Sequence, residues 1–408
     1  MYKDLKSLFS IDEEEWNKEY KKRYTSDYSH VIDFQVNNDK AFFTETPDII
    51  KKVYSILTLD KKITSQCNDL PGVAFAQYTE KCLIDEIVIS NNIEGIQSSR
   101  KEIGDALSFL KEKGLAKRKH IRFTGFVNKY YKLTNNEEIS LKTCEDIRAI
   151  YDEIVLEEVV QEDARNKPDG QLFRKEQTTV YNSSGDELHN GVYPEEKIIE
   201  YMKKALYFLN DDSFQKLYNI SIFHYLFEYI HPFYDGNGRL GRFIVSYCLS
   251  RVLHPLMAYR LSWTIQDNIG KYYNAFKTCN DVRNKGDLTP FLLMMLTMIE
   301  NAQEELSRSL EEKIATLAKY SNMINLLPNG GFKNIESLYN YLLQACLFSR
   351  YGISTQELEK YMNVSYGSLR SRLKFLKKNN LLLSKTIDGK KYHKLNISYL
   401  DSIEKGTN

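Results

Sequence analysis

Twelve consecutive residues in the second half of the chain hold side chains that together could carry out chemistry. The stretch runs from His231 to Arg242 and reads His-Pro-Phe-Tyr-Asp-Gly-Asn-Gly-Arg-Leu-Gly-Arg. Pro232 removes a backbone donor and restricts the residue before it to extended geometry, so a helix is expected to end at the histidine and to present its imidazole. Because an imidazole titrates near neutral pH, His231 is predicted to accept a proton from an attacking hydroxyl.

The residues after this histidine are predicted to bind phosphate groups. The glycines at 236 and 238 allow backbone angles barred to bulkier residues, so successive N–H groups can converge on an anion where the next helix begins. Arg239 and Arg242 lie three residues apart on one face of its first turn and can grip further phosphate oxygens. Asp235 offers an oxygen ligand suited to Mg²⁺. The predicted phosphate contacts are Gly236, Asn237, Gly238, Arg239 and Arg242.

The stretch resembles in full the signature of the Fic family, His-Pro-Phe-x-Asp/Asn-Gly-Asn-Gly-Arg-x-x-Arg, whose members transfer AMP from ATP to a protein hydroxyl. By that resemblance His231 deprotonates a target Ser, Thr or Tyr, Asp235 holds Mg²⁺ or Mn²⁺, and Phe233 anchors the loop in the core. A kinase-like branch of the family has a shorter loop that ends in Lys-Arg, with Ala before the Asn. Since Gly236 and Arg239 stand here, AMP transfer is favoured over phosphate transfer.

A second stretch, Ser90-Asn-Asn-Ile-Glu94-Gly95, resembles the inhibitory pattern Ser/Thr-x-x-x-Glu-Gly/Asn of the subclass with an N-terminal inhibitory helix. In that subclass Glu94 would pair with Arg242 and hold ATP in an unproductive pose. A simpler interpretation makes Glu94 an exposed carboxylate at a helix end that Gly95 caps. A third makes Glu94 position a water that removes AMP from a modified protein.

Two further regions resemble the family less specifically. Strand-forming residues flank turn residues between 173 and 193, which predicts a β-hairpin like the flap that docks the target, with Thr179 and Tyr181 as its clamp. Tyr272 and Tyr273 resemble residues that stack on adenine. A plain surface hairpin and core tyrosines are the alternatives. The sequence also places His224 and Glu228 before the loop, and both are interpreted as structural.

The elements that position these residues are predicted to be helices. Apolar residues recur at three or four positions from Leu217 to Ile230 and again after Leu240, and a helix is expected over about 74–95. The predicted fold is mainly α, a Fic-type helical bundle core with a small β-hairpin flap and a C-terminal winged helix-turn-helix. The domains are predicted as an N-terminal helical extension over 1–70, a catalytic domain over 71–325 and a winged-helix domain over 333–400.

The C-terminal module is predicted from three helices over 334–347, 354–362 and 365–379, and a turn at Gly389 that joins two strands. From Gly331 onward there are 13 lysines and arginines against 6 aspartates and glutamates. Nucleic acid is therefore one candidate partner, and a protein-docking module with a solvated face is the other. A transcriptional regulator that senses nucleotide through its core is accordingly an alternative function. The polar residues of the third helix are Ser368, Arg370, Arg372, Lys374, Lys377 and Lys378.

Composition limits the remaining choices. Apolar residues make up 42% of the chain and the net charge is +1, which excludes bulk disorder and a chain basic throughout. The six cysteines include no Cys-x-x-Cys pair, and no long uncharged apolar run or signal peptide is found, so a cytoplasmic protein without a membrane span is expected. The expected partners are ATP and a protein with an exposed hydroxyl, with the chain itself among the candidates. Whether it forms a homodimer stays open.

Overall fold

The computed structural model describes residues 2–113, 121–135, 137–181, 185, 187–387 and 389–404. These residues form a mainly helical protein with a few short strands, which confirms the predicted mainly α fold. They divide into two compact units, one made of Met1–Asp60 and Leu83–Glu304 and the other of Lys61–Cys82 and Glu305–Asn408. None of the helices in the described ranges combines the length and the apolar character that a membrane crossing needs.

The first unit holds most of the helices, three of which also contribute residues to the second unit. The helices are α1 (Leu5–Phe9), α2 (Glu13–Tyr24), α3 (Pro47–Asn68), α4 (Gly72–Ile93), α5 (Arg100–Lys113), α6 (Thr124–Leu133), α7 (Cys144–Ile154), α8 (Leu156–Glu162), α9 (Glu195–Asn210), α10 (Lys216–Ile230), α11 (Asn237–Val252), α12 (Leu261–Asp267), α13 (Ile269–Cys279) and α14 (Thr289–Ile324). The strands are β1 (Ser29–Val36), β2 (Asp39–Thr44), β3 (Thr179–Tyr181) and β4 (Glu187–Asn190). Short 3-10 helices span Ala164–Asn166, Pro255–Tyr259 and Val282–Asn284.

Helices α10 and α11 form the centre of the first unit. Helix α10 is buried on all sides from Leu217 to Glu228 and packs against α9 and α11. Such a helix must be apolar all round or satisfy its polar groups internally. Asn219 does so by donating to the carbonyls of Phe208 and Asp211, each at 2.7 Å. The end of α10 and the start of α11, where the sequence places its chemistry, are thereby fixed in the core.

The N-terminal region differs from the helical extension predicted over 1–70. It contains the antiparallel pair β1 and β2, with Ser29 opposite Thr44 and Val36 opposite Asp39. In β1 the buried residues Ile32, Phe34 and Val36 alternate with exposed ones. Alternation with a period of two is typical of a strand with one buried face. The prediction of a helical extension overlooked this pattern because helical spacing dominates the rest of the chain.

The second unit contains the predicted C-terminal helices as α15 (Ile335–Phe348), α16 (Thr355–Met362) and α17 (Tyr366–Lys378). Its strands β5 (Ile353–Ser354), β6 (Leu382–Ile387) and β7 (Lys390–Leu395) form a sheet in the order β5-β7-β6, and α18 (Ile397–Glu404) follows. The unit begins earlier than the predicted boundary at 333. Tyr320, Ile324 and Leu327 are buried in one hydrophobic cluster with α15 and α17, so packing continues across the helix breakers at 328–331.

Candidate active site

His231 caps the C-terminal end of α10. Its backbone N–H donates to the carbonyl of Phe227 at 2.9 Å, and its φ of 50° is left-handed. The prediction that His231 has extended backbone geometry before Pro232 is therefore wrong, because the residue adopts the left-handed conformation that ends the helix. The prediction that α10 ends at the histidine is confirmed, and the imidazole lies on the wall of a cavity, 15% exposed.

Arg174, which sequence reasoning missed, holds the backbone around His231. The side chain is fully buried, and its guanidinium donates from Nε to the carbonyl of His231 at 2.9 Å and from Nη2 to that of Val192 at 2.7 Å. A third bond from Nη1 reaches the carbonyl of Glu176. A side chain at Gly191 would collide with this guanidinium and press on His231. Arg174 thus ties both ends of the β3–β4 hairpin to the histidine.

The surroundings of His231 keep its imidazole neutral. Burial, helped by the neighbouring His189 and the Arg174 cation, lowers the pKa of His231 to about 3. Nδ1 lies 3.8 Å from Oε2 of Glu228, one turn earlier on α10. Burial and repulsion by Glu94, offset in part by Arg242, raise the pKa of Glu228 to about 8. At neutral pH the imidazole can accept a proton while the carboxyl beside it is mostly protonated.

Glu228 and His224, both interpreted as structural from the sequence, have different surroundings. His224 is fully buried with Nε2 2.7 Å from the hydroxyl of Tyr272, and burial lowers its pKa to about 3. Glu228 instead lines the cavity beside His231. A side chain at Gly241 would meet its Oε1, so the second glycine of the Gly-Arg-Leu-Gly run leaves room for this carboxyl. The structural interpretation fits His224, whereas Glu228 is part of the cavity wall.

The loop between the two helices is rigid because its own side chains bond to its backbone. Gly236 has a φ of 82° and is the N-cap of α11, which begins at Asn237. Asn237 accepts from the N–H of Phe233 at 3.0 Å and donates to its carbonyl at 2.8 Å, so its amide braces the loop. Phe233 is buried and stacks on Tyr151 with ring centroids 3.6 Å apart. Left-handed backbone favours glycine at 236 because a Cβ would be strained there.

Asp235 is half-buried at the start of this loop, and its Oδ1 accepts from the N–H of Gly236. In the described part of the chain, no group of three or more His, Cys, Asp or Glu side chains is arranged to hold a metal ion. Mg²⁺ usually takes only one or two protein carboxylates and completes its shell with waters and substrate phosphates. A single carboxylate beside the phosphate-binding loop therefore fits a Mg²⁺ ion that arrives with a nucleotide.

Arg242 is buried on α11 and bonded to α4. Nη1 lies 2.7 Å from Oε1 of Glu94, Nε donates to Oγ of Ser90 at 3.1 Å, and Nη2 donates to the carbonyl of Ser90 at 2.8 Å. Glu94 is 33% exposed at the end of α4, whereas Arg242 is 1% exposed. A side chain at Gly238 would collide with the Glu94 carboxylate. The predicted contact between Glu94 and Arg242 is present, and Ser90 adds two bonds to it.

Arg239 has a carboxylate partner that the sequence did not indicate. It is fully buried, and its Nη1 lies 3.1 Å from Oε2 of Glu158 on α8. Burial raises the pKa of Glu158 to about 7 although the Arg239 cation favours the ionised form. Arg239 does not line the cavity that contains Arg242, and its Nε and Nη2 have no partner among the described residues. The two arginines therefore occupy separate places within the site.

The predicted adenine contacts lie on α13. The Tyr272 ring is 3% exposed and packs edge-on against Phe276 with centroids 5.0 Å apart. Its hydroxyl is hydrogen-bonded to Nε2 of His224. Tyr273 is more exposed, and its ring meets that of Tyr272 at 5.5 Å. Both line the cavity, yet the contacts of Tyr272 are those of a core residue. Tyr273 is the better placed of the two to stack on a base.

The predicted hairpin is present as β3 and β4. Thr179 lies opposite Asn190 and its hydroxyl donates to the Asn190 side chain at 2.9 Å, whereas the side chain of Tyr181 lies outside the described part of the structure. His189 on β4 reaches the cavity, a contact that sequence reasoning missed. Its ring stacks on Tyr229, with Nε2 3.0 Å from the Tyr229 carbonyl. Burial lowers the pKa of His189.

Comparison with known proteins identifies the region around this loop. The model of the Fic/DOC family matches residues 141–249. Residues 141–249 form a Fic/DOC domain. The chain is also 30% identical over 94 residues to Protein adenylyltransferase Fic from Drosophila virilis, a match that covers 22% of this chain and 18% of that relative. The chain thus spans about a fifth of that relative's length.

A solved structure agrees with this fold. A Fic family protein from Desulfovibrio desulfuricans G20 is 19% identical and matches with a TM-score of 0.52 over 86% of this chain and 97% of its own. At that identity the likeness concerns the fold alone. Fic-1 from C. elegans, 20% identical over 64% of this chain and 74% of its own, has a TM-score of only 0.40.

The Fic domain supplies only part of the cavity. His231, Gly238 and Arg242 lie within the matched residues, whereas Glu94 comes from the turn directly after α4 and Tyr273 from α13. The cavity encloses about 60 Å³. Pockets for small molecules commonly measure roughly 300–1,000 Å³, so this cavity is narrow. Residues before and after the Fic domain thus complete the cavity wall. The residues that line it are Glu94, Val180, His189, Glu228, His231, Gly238, Arg242, Tyr272, Tyr273 and Phe276.

Proposed function

We propose that this chain is a protein adenylyltransferase that moves AMP from ATP to a Ser, Thr or Tyr hydroxyl of a protein, and that Glu94 restrains it. The observation that carries the proposal is that His231, Arg242 and Glu94 line one cavity, with Glu94 paired to Arg242. A neutral imidazole and a buried guanidinium are a proton acceptor and a phosphate ligand. The domain match and the adenylyltransferase relative support this choice of chemistry.

In the proposed reaction the acceptor hydroxyl oxygen attacks the α-phosphorus of ATP. The bond from that phosphorus to the oxygen bridging to the β-phosphate breaks, pyrophosphate leaves, and the hydroxyl proton passes to the imidazole of His231. Arg174 and Asn237 keep the imidazole and the loop in place through their backbone bonds. Mg²⁺, held by Asp235 and the phosphates, would neutralise charge on the leaving group.

The proposed restraint follows from the donors of Arg242. Nε, Nη1 and Nη2 each donate to Ser90 or Glu94, so three of the five N–H groups are already used and the Glu94 carboxylate lies where a γ-phosphate would pair with the cation. The carboxylate also fills the space above Gly238 where an anion would approach the start of α11. A like-charged phosphate next to Glu94 is disfavoured in a partly buried site. Productive ATP binding therefore requires that Glu94 move or be removed.

The test is labelling of protein by ATP that carries a labelled α-phosphate. Glu94→Gly is expected to raise labelling about tenfold or more, since Arg242 becomes available. His231→Ala in the Glu94→Gly background is expected to lower it by about 10²–10⁴, the usual contribution of a general base. Asp85→Asn, on the same helix but ion-paired to Arg100, is the matched control and should leave labelling unchanged. Equal labelling by Glu94→Gly with and without His231 would remove the proposal's support.

Removal of AMP is a second candidate because Glu94 is 33% exposed on the cavity wall, where a carboxylate could orient a water. Incubation with an AMP-modified protein separates the two activities. Release of AMP that is lost in Glu94→Gln favours removal. A gain of labelling in the same variant, without any release by the wild-type chain, favours transfer restrained by Glu94.

A further inference from the structure

The second unit carries a surface with chemistry that AMP transfer does not use. Helix α17 has a buried face formed by Leu369, Arg372 and Leu376. Its opposite face is exposed and is here called the basic face. The basic face consists of Tyr366, Gly367, Arg370, Ser371, Lys374, Lys377 and Lys378.

The positive charge of the basic face is not neutralised by acidic residues of the described chain. Helix α17 contains no aspartate or glutamate, and no described residue forms an ion pair with Arg370, Lys374, Lys377 or Lys378. Arg372, counted with these residues from the sequence alone, points the other way and donates to the carbonyl of Lys333 at 3.1 Å. Four exposed cations on one helix face repel each other, so they favour a polyanion as partner.

The backbone around α17 selects the kind of polyanion. Helix α16 ends at Met362 and α17 begins at Tyr366, so three residues, among them the left-handed Asn363, join two packed helices. This is the arrangement of a helix-turn-helix, whose second helix enters the major groove of DNA with its first residues at the base edges. Helix α17 has 13 residues, about 20 Å at 1.5 Å per residue, and its polar face can enter a groove about 12 Å wide.

The strands beside α17 add further positive charge. Strand β6 packs on α17 and pairs with β7 through a tight connection at Gly389. Lys385 and Lys391 are exposed on opposite faces of this hairpin, since Lys385 is paired with Tyr392 and Lys391 with Thr386. In helix-turn-helix proteins, cations outside the recognition helix contact the phosphate backbone and fix the register on the duplex.

We propose that the basic face of α17, with Lys385 and Lys391 of the β6–β7 hairpin, binds the major groove and flanking phosphates of double-stranded DNA. Arg370 and Ser371, near the start of α17, lie where base edges are reached. Lys377 and Lys378, at its end, lie where phosphates are reached. This site is independent of His231 and of the chemistry proposed for the cavity.

The test uses the full chain and a fluorescent 30-base-pair duplex of random sequence, with binding followed by anisotropy at about 50 and 200 mM salt. Binding is expected to weaken steeply with salt. In the double variant Lys377→Ala, Lys378→Ala the slope of log affinity against log salt should become shallower by about 1.8, because two phosphate contacts each contribute about 0.9. Binding near 100 mM salt should weaken more than about tenfold.

The matched control removes two exposed lysines elsewhere, Lys18→Ala on α2 and Lys61→Ala on α3, and should bind as the wild type does. Circular dichroism checks that all variants are folded. Absence of binding to the random duplex overturns the proposal, as does equal weakening in the control. Tighter binding to single-stranded RNA or to polyglutamate than to the duplex also overturns it, because the basic face would then serve another partner.

Discussion

The two cationic regions of the protein treat their charges in opposite ways. On α11, Arg239 and Arg242 are buried, and each lies on a carboxylate, Glu158 and Glu94 respectively. On α17, Arg370 and Lys374 are exposed and unpaired within the described residues. A buried cation needs a partner because its desolvation is costly, whereas an exposed cation is solvated by water and needs none. Phosphate binding inside the first unit must therefore displace a carboxylate, and on the surface it displaces only counterions.

The largest expected effect on this comparison comes from Arg239→Ala. Removing the guanidinium leaves Glu158 buried without its partner, which should lower the free energy of unfolding by about 3–5 kcal/mol. Urea unfolding at about pH 8.5, where Glu158 is ionised, measures the change. The loss should shrink as the pH falls through about 7, where Glu158 takes up a proton. An equal loss in a variant that also carries Glu158→Gln would show that the carboxylate is not responsible.

Arg174 is an intermediate case, since its buried cation is satisfied by carbonyls alone and burial lowers its pKa to about 10. Arg174→Lys keeps the charge but cannot reach all three carbonyls, so about 2–3 kcal/mol of stability should be lost. Hydrogen exchange should also rise at Val180 and His189 of the hairpin. If the hairpin amides stay as protected as in the wild type, Arg174 does not tie the hairpin to His231.

The buried carboxyl of Glu228 should make the stability of the first unit depend on pH. Its pKa is about 8 in the folded chain and about 4.5 when unfolded, so its stabilising contribution is present below pH 4.5 and is lost as pH rises through 8. Unfolding followed at pH 6 and pH 8 should show that Glu228→Gln reduces the loss of stability between these values by about 2 kcal/mol. Glu359→Gln, a half-buried glutamate of α16, is the control and should leave the pH dependence unchanged. A variant as pH-sensitive as the wild type would contradict the raised pKa.

The smallest expected change in the free energy of unfolding comes from substitutions on the basic face of α17. Arg370→Ala together with Lys374→Ala should change the free energy of unfolding by less than about 0.5 kcal/mol, because both side chains are exposed and neither is ion-paired to a described residue. Thermal unfolding by circular dichroism measures it. A loss as large as that of Arg239→Ala would mean that the basic face holds the second unit together.

How far the sequence could predict this site depends on whether a residue's partner is encoded locally. The loop from His231 to Arg242 could be recognised because its glycines and arginines follow one another, and α4 was expected over 74–95 and spans Gly72–Ile93. The contact of Glu94 with Arg242 was expected from a resemblance, since the residues between them carry no physical signal of proximity. Glu158 and Arg174 were missed because an isolated charge in a helix or loop does not indicate what it will meet.

Other differences had a signal that could have been used. The spacing of Leu369, Arg372 and Leu376 places all three on one side of α17, which would have separated Arg372 from the basic face. Strand β1 alternates buried and exposed residues over Ile32, Phe34 and Val36. The left-handed backbone of His231 could not be foreseen, because steric rules favour extended geometry before a proline and only packing at the end of α10 overrides them.

The absence of a side chain at Gly238 makes the Glu94–Arg242 contact sensitive to a single-base mutation. A methyl group there would meet the carboxylate of Glu94 and the guanidinium of Arg242. Because a glycine codon becomes an alanine codon by substitution of a single base, the contact between Glu94 and Arg242 is one point mutation away from being displaced, in a helix that Glu94 does not belong to. If the proposed restraint is under selection, that selection acts on the empty space at 238 as well as on the glutamate that fills it.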